Sequence, residues 1–294
     1  MASKTISKFA LHPKHRTHLV FGANTDVGKS VVSTGLVRAA AAATDSGTVN
    51  YIKPLQCGGS DESFVVRHDS QSQSNITCKT LFTWMTPASP HLASRWENLP
   101  VSDEQITLSL TESMKLIQSS SMNSTTIIET AGGALSPSSW SPDNASAAGN
   151  RLGWSTQADL YSPLHIPVVF VGDGKLGGIS VTLSTLEALW NRGYSVDAVV
   201  FINSGTGNGG NDQDGNAMSF GEGNAEALEE YIMMRNTKQR SLCRNIEHFD
   251  DGSIVLLPSL PPMPERLDNW YEQNHERFSK LNHLLNAKWD TYFE

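Results

Sequence analysis

Two kinds of apolar stretch alternate along the chain. Leu19–Phe21 is a short unbroken apolar run, the pattern of a buried strand. After a turn, Val32, Leu36 and Ala39/Ala40 recur at three- and four-residue intervals, as on one face of a helix. Val49–Ile52 predicts a second strand, closed at Lys53–Pro54 because proline cannot donate to a ladder. Ile106, Leu110, Met114 and Ile117 predict a helix over 103–117 with Ser102 as its N-cap. Thr125–Glu129, Ile166–Val171 and Val196–Ile202 predict the third to fifth strands, and Ile179, Leu183, Leu186 and Leu189 a helix between the last two. Ala225–Met234 predicts a helix and Ser253–Leu257 a last strand ended by Pro258. Residues 265–289 predict an amphipathic helix carrying Leu267, Trp270, Tyr271, Phe278, Leu281 and Leu285 on its apolar side.

The remaining stretches read as connections. Residues 57–124 contain no obvious central strand, only a helical turn at 61–66, a polar loop at 70–74 and the 103–117 helix. Residues 136–153 are rich in Ser, Asn, Pro and Gly and predict loop. Residues 204–224, crowded with Gly and Asn, predict a flexible insert. Strands alternating with helices imply an α/β fold with a mostly parallel sheet covered on both faces. The expected layout is a basic N-terminal segment (1–16), one domain (17–262) holding the insert, and a C-terminal helical appendage (263–294).

Between the first strand and the first helix lies Gly22-Ala23-Asn24-Thr25-Asp26-Val27-Gly28-Lys29-Ser30. Strand, glycine-containing loop and helix is the context of a phosphate loop, although five residues separate the two glycines where four are usual. Such a loop points backbone N–H groups inward, and the helix adds the positive end of its dipole. Lys29 can reach β- and γ-phosphates, and the Ser30 hydroxyl can ligate Mg²⁺. The expected architecture is therefore a P-loop NTPase-like three-layer fold.

Composition narrows the partners. Across 294 residues, 38% hydrophobic content is enough for a core, and a net charge of −8 argues against nucleic acid. No run of ~18 apolar residues predicts a membrane span. Cys57, Cys78 and Cys243 are far apart and show no metal-ligand spacing, which fits a reducing compartment. His12, His15 and His18 read as surface residues or, less simply, as metal ligands. Residues 1–16 carry Lys4, Lys8, Lys14 and Arg16 and no acid, like a short organelle-targeting segment and like an ordinary N-terminus, so mitochondrion and cytoplasm both stay open.

Four predicted strand ends converge at the ligand-binding edge of such a sheet. They carry the phosphate loop, Lys53, Glu129 and the glycine-rich turn at 172–178. Glu129 beside a phosphate loop is placed to hold Mg²⁺; Asp61 is the second acidic candidate, with Asp69 its competitor.

These motifs resemble dethiobiotin synthetase, the ATP-dependent enzyme that closes the ureido ring of biotin. The loop with its extra residue, Lys53-Pro54-Leu55-Gln56-Cys57-Gly58, Ser89-Pro90-His91, Glu129-Thr130-Ala131-Gly132-Gly133, the turn around Lys175-Leu176-Gly177, and Asn203 follow the family's order over about residues 17–262. Finer features resemble the synthetase half of the eukaryotic bifunctional enzyme, in which it is fused to a diaminopelargonic acid aminotransferase. No such domain follows Glu294 here, so a separately encoded aminotransferase, or a truncated sequence, is expected.

The resemblance implies that 7,8-diaminononanoate takes up CO₂ as a carbamate, that ATP phosphorylates it, and that the second amine closes the ring. It implies ATP contacts from Asn24, Thr25, Asp26, Val27, Gly28, Lys29, Ser30, Asn203 (to the adenine) and Pro258. Lys53 and Thr25 would serve the carbamate, with Lys29, as the catalytic groups. Substrate contacts would come from Lys53, Cys57, Gly132, Lys175 and Gly177, and Mg²⁺ ligands from Ser30, Asp61 and Glu129. It also implies a homodimer. Cys57 stands where the family has a hydroxyl, and a thiol is the weaker donor. Two other readings stay open: a partner-switching regulatory ATPase, which lacks here the extra lysine at the start of its phosphate loop, and a degenerate, inactive synthetase domain.

Overall fold

In the computed structural model, residues 10–43, 47–69, 75–146, 152–204, 206–211, 217–239, 252–262 and 266–294 are described. The strands are β1 (His15–Gly22), β2 (Thr48–Cys57), β3 (Ile76–Trp84), β4 (Ser124–Glu129), β5 (Val168–Val171), β6 (Val196–Ile202), β7 (Thr206–Asn211), β8 (Ala217–Ser219) and β9 (Ile254–Leu257). The helices are α1 (Lys29–Ala42), α2 (Asp61–His68), α3 (Pro90–Trp96), α4 (Asp103–Ser120), α5 (Pro142–Ser146), α6 (Gln157–Tyr161), α7 (Gly178–Trp190), α8 (Phe220–Gln239), α9 (Asp268–Gln273) and α10 (His275–Thr291). Seven strands form one sheet in the order β3-β2-β4-β1-β5-β6-β9, with every neighbouring pair parallel. This is the expected α/β, three-layer, P-loop NTPase-like arrangement.

Alternation along the strands splits the core. Leu19 and Phe21 point to one face, packing with Leu110 of α4, Leu186 of α7 and Leu228 of α8. Val20 points to the other, packing with Leu36 of α1, Tyr271 of α9 and Leu281 of α10. A strand buried on both faces reads as a continuous apolar run, which is why Leu19–Phe21 stood out.

Several expectations are corrected. β1 begins at His15, four residues before its apolar run, because its polar side chains are buried against partners from distant parts of the chain. His15 bonds Ser124 at 2.9 Å, the Arg16 guanidinium donates to the Asn282 backbone carbonyl at 3.1 Å, and His18 pairs with Asp197 at 2.9 Å. His15 and His18 are therefore core residues, neither surface groups nor metal ligands. β2 does not stop at Pro54. The Val49 N–H donates toward β3, so odd positions face β3, and Pro54 faces β4, whose last pair with β2 is Ile52–Ile128.

The 57–124 connection contains a whole strand, β3, at the sheet edge. Its half-exposed, polar-rich sequence lacks the apolar signature of its neighbours. The 265–289 helix is two helices, separated at Asn274. The segment expected as a flexible insert holds the antiparallel pair β7–β8, and α8 starts inside it at Phe220. The loop predicted at 70–74 and Cys243 lie outside the described residues. No helix among the described residues is long and apolar enough to cross a membrane.

Candidate active site

β1 lies mid-sheet, with β4 and β2 on one side and β5 on the other. Gly22, Glu129 and Lys53 therefore emerge side by side at the carboxyl edge, where open α/β sheets bind ligands. A cleft of about 890 Å³ opens there, lined among others by Thr25, Lys29, Ser30, Lys53, Asp61 and Glu129.

The phosphate loop takes left-handed backbone twice, at Asp26 with φ +58° and at Gly28. Gly28 has φ +95° and is the N-cap of α1, and a Cβ there would come within 2.4 Å of Ile202 Cδ1. Glycine removes both penalties. The Lys29 ammonium, only 7% exposed, donates to the Asn24 carbonyl at 3.2 Å, while Asn24 Oδ1 accepts from the Thr25 N–H at 2.8 Å. Burial lowers the Lys29 pKa to about 8, against the pull of Glu129, Asp61 and Asp26.

Glu129 is 1% exposed and is the hub of the site. Its Oε1 accepts from Ser30 Oγ at 2.8 Å and from Lys53 Nζ at 2.9 Å, and its Oε2 accepts from the Tyr51 hydroxyl at 3.0 Å. Lys53 also pairs with Asp61 Oδ2 at 2.6 Å and donates to the Thr130 carbonyl at 3.2 Å. Burial opposes the Lys53 charge, but Glu129 and Asp61 outweigh it and hold its pKa above the ordinary lysine value. Asp61 heads α2, and its N–H is fixed by Gln56 Oε1 at 3.1 Å. Asp69, at the other end of α2, lines a separate hollow with Arg38 and Tyr271.

Cys57, at the end of β2, and Gly132, at φ +67°, line the same cleft. Burial pushes the Cys57 thiol up to about 12, so it stays protonated. A second cleft of about 440 Å³ shares Asp26 and Gly28 with the first and continues past Lys175 to Asn203. The Asn203 Oδ1 is buried with no hydrogen-bond partner among the described residues, a poised acceptor. Lys175 lies there, apart from Lys53 and Cys57; Gly177 caps α7 at φ +80° outside both linings, and Pro258 is an exposed residue just before the lining pair Ser259 and Leu260. Val27 also lines this second cleft.

Ser30, Asp61 and Glu129 are hard oxygen donors. No cluster of three His, Cys, Asp or Glu side chains occurs among the described residues. Two carboxylates and a hydroxyl beside a phosphate loop suit Mg²⁺, which keeps waters and phosphate oxygens as ligands, better than a metal needing a complete protein cage. Sequence reasoning missed Tyr51 and Gln56. The period of two along β2 puts Tyr51 on Lys53's face and could have flagged it.

Residues 16–236 match the AAA domain family. The chain is 37% identical, over 66% of its length and 22% of the relative's, to a bifunctional dethiobiotin synthetase/adenosylmethionine-8-amino-7-oxononanoate aminotransferase of Emericella nidulans. It is 31% identical, over 91% of its length and 34% of the relative's, to the mitochondrial bifunctional dethiobiotin synthetase/7,8-diamino-pelargonic acid aminotransferase of Oryza sativa subsp. japonica. It thus spans about a fifth to a third of these bifunctional relatives. An ATP-dependent dethiobiotin synthetase of Brucella ovis is 32% identical over 63% of this chain and 73% of its own length. Together these matches make the chain a member of the AAA domain family and of the dethiobiotin synthetase family.

Proposed function

We propose that this chain catalyses the ATP-dependent carboxylation and ring closure of 7,8-diaminononanoate to dethiobiotin. The observation that carries the reading is Lys53. It is a buried cation outside the phosphate loop, held charged by Glu129 and Asp61 and lining the same cleft as Lys29. A phosphorylated carbamate gives a second buried cation beside the phosphate loop an anion to stabilise.

In this reading the phosphate loop from Asn24 to Ser30 wraps the triphosphate with its N–H groups, and Lys29 neutralises the transferring phosphoryl group. Lys53 exchanges one carboxylate partner for the carbamate and stabilises the anionic mixed anhydride. Thr25 and Gly132, neighbours in the cleft lining, position the carbamate end, and Cys57 contacts the diamine. Catalysis is positioning and charge neutralisation, with no covalent enzyme intermediate required. Asn203 Oδ1, with no partner among the described residues, suits the amino group of adenine.

Mg²⁺ would be held by Ser30, Glu129 and Asp61, and when bound it supplies charge neutralisation at the phosphates. A homodimer and an aminotransferase activity that supplies the diamine complete the reading. The acid-free N-terminal 16 residues and the mitochondrial rice relative favour the mitochondrion over the cytoplasm.

Incubating the protein with diaminononanoate, bicarbonate, Mg²⁺ and ATP tests the proposal. Dethiobiotin and stoichiometric ADP are expected by mass spectrometry. ATP hydrolysis that ignores the diamine would instead favour the regulatory ATPase, and neither product the degenerate domain.

A further inference from the structure

The two oxygens of Glu129 are held from opposite directions. Ser30 and Lys53, which hold Oε1, both line the main cleft and can turn to an incoming anion. Tyr51, which holds Oε2, is fully buried in the core on the α1 face and is not among the cleft's lining residues. It has nowhere else to point. The register explains its reach. Tyr51 lies opposite Ile127, one same-face step before Lys53 on β2 and before Glu129 on β4, so its phenol rises beneath the carboxylate.

We propose that Tyr51 is the positioning residue of the acidic centre. Its O–H pins Glu129 by Oε2, so that Oε1 is presented to Mg²⁺ in the cleft. The proposal rests on the metal assignment made above and deepens it. Mg²⁺ tolerates little departure from octahedral geometry, so a ligand that swings loses affinity. Hydrogen bonds that orient a metal's ligands from behind are commonly worth about 10- to 100-fold in metal affinity.

The test titrates Mg²⁺ by calorimetry, and Mn²⁺ by electron paramagnetic resonance, into the full chain saturated with a non-hydrolysable ATP analogue. Tyr51→Phe is expected to weaken metal binding about 10-fold or more, leaving the metal-free affinity for the analogue unchanged. Glu129→Gln should weaken it at least as much. The double variant should be no worse than Glu129→Gln alone, because Tyr51 acts through Glu129. Site-specific p-aminophenylalanine and p-methylphenylalanine at position 51 differ in the donor alone. The first should bind metal tightly and the second weakly, a contrast that also serves if Tyr51→Phe is insoluble. Wild-type metal affinity in Tyr51→Phe, or equal affinities in the paired analogues, while Glu129→Gln is impaired, overturns the role of Tyr51 and leaves the metal assignment standing. An unshifted curve in Glu129→Gln removes the metal assignment and this proposal with it.

Discussion

Lys29 in the phosphate loop and Lys53 within β2 are 7% and 4% exposed and line one cleft, yet their surroundings move them in opposite directions. Burial wins at Lys29, whose nearest partner is the neutral Asn24 carbonyl, and the pKa falls to about 8. At Lys53 burial loses to Glu129 and Asp61 in direct contact, and the pKa rises. One region keeps an under-compensated cation that gains most when an anion arrives. The other keeps a cation already paired, which must trade partners to act. The first is suited to capturing phosphate, the second to holding charge ready in a dry site until chemistry needs it.

Removing Lys29 should have the largest effect. Lys29→Ala is expected to lower kcat/KM for ATP about 10³-fold and to weaken nucleotide binding in the absence of any diamine. Fluorescent-nucleotide titration together with turnover checks this. Retained nucleotide affinity would mean that Lys29 does not meet the phosphates and would erase the contrast between the two lysines.

Lys53→Gln should be nearly as damaging to ring closure, about 10²-fold in kcat, while ATP affinity stays close to wild type. It should also lower the melting temperature, because Glu129 would lose a buried countercharge. Diamine-dependent ADP release compared with nucleotide affinity in this one variant separates synthesis from plain hydrolysis. Parallel, small changes in both would take Lys53 out of the reaction. Unchanged ATPase activity with no response to diamine would favour the regulatory reading.

The same contrast shows how far a sequence carries. The phosphate loop was legible because its neighbours are local: an apolar strand, a glycine forced to positive φ and a periodic helix lie within about 25 residues, where pattern and structure coincide. Glu129 was legible as a strand end, and Lys53 as a residue of the second strand, which runs on to Cys57. Their mutual contact depends on β4 inserting between β2 and β1, and no local pattern encodes strand order. Tyr51 read only as an apolar strand residue, since its hydroxyl has a purpose only once Glu129 stands above it. β3 was hidden because an edge strand needs one apolar face at most. The polar start of β1 was hidden because Arg16 and His18 find their partners at Asn282 and Asp197, far along the chain. Asp61 and Asp69 could not be separated until α2 placed them at opposite ends of one helix.

A smaller effect tests the charge difference directly. With a pKa of about 8 in the free protein, Lys29 is protonated below that pH and neutral above it. The phosphates prefer the charged form, so nucleotide binding should raise this pKa and take up protons near pH 8. Affinity should be flat from pH 6 to 7.5 and decline as pH rises through about 8 to 9, by up to about 10-fold per pH unit for one required proton. Calorimetry in buffers of differing ionisation enthalpy measures the uptake. The decline should persist in Lys53→Gln and vanish in Lys29→Ala. If it instead followed Lys53, the assignment of the two environments would be reversed.

The smallest expected effect lies at Cys57, where the second region departs from the pattern its family resemblance implies. The thiol is half-buried at the end of β2, lines the cleft, and stays protonated at any working pH because burial pushes its pKa up to about 12. It can offer the diamine only a weak S–H donor. Cys57→Ser swaps sulfur for a smaller, stronger donor at a site open to the cleft, where little packing is lost. KM for the diamine should fall by about 2- to 5-fold, the size of one modest hydrogen bond, with kcat and ATP affinity unchanged. Lys53 should be indifferent, since neither side chain carries charge. A Cys57→Ser variant that loses activity strongly would mean that sulfur's bulk shapes the wall around Lys53, and that the paired-cation region depends on packing as much as on charge.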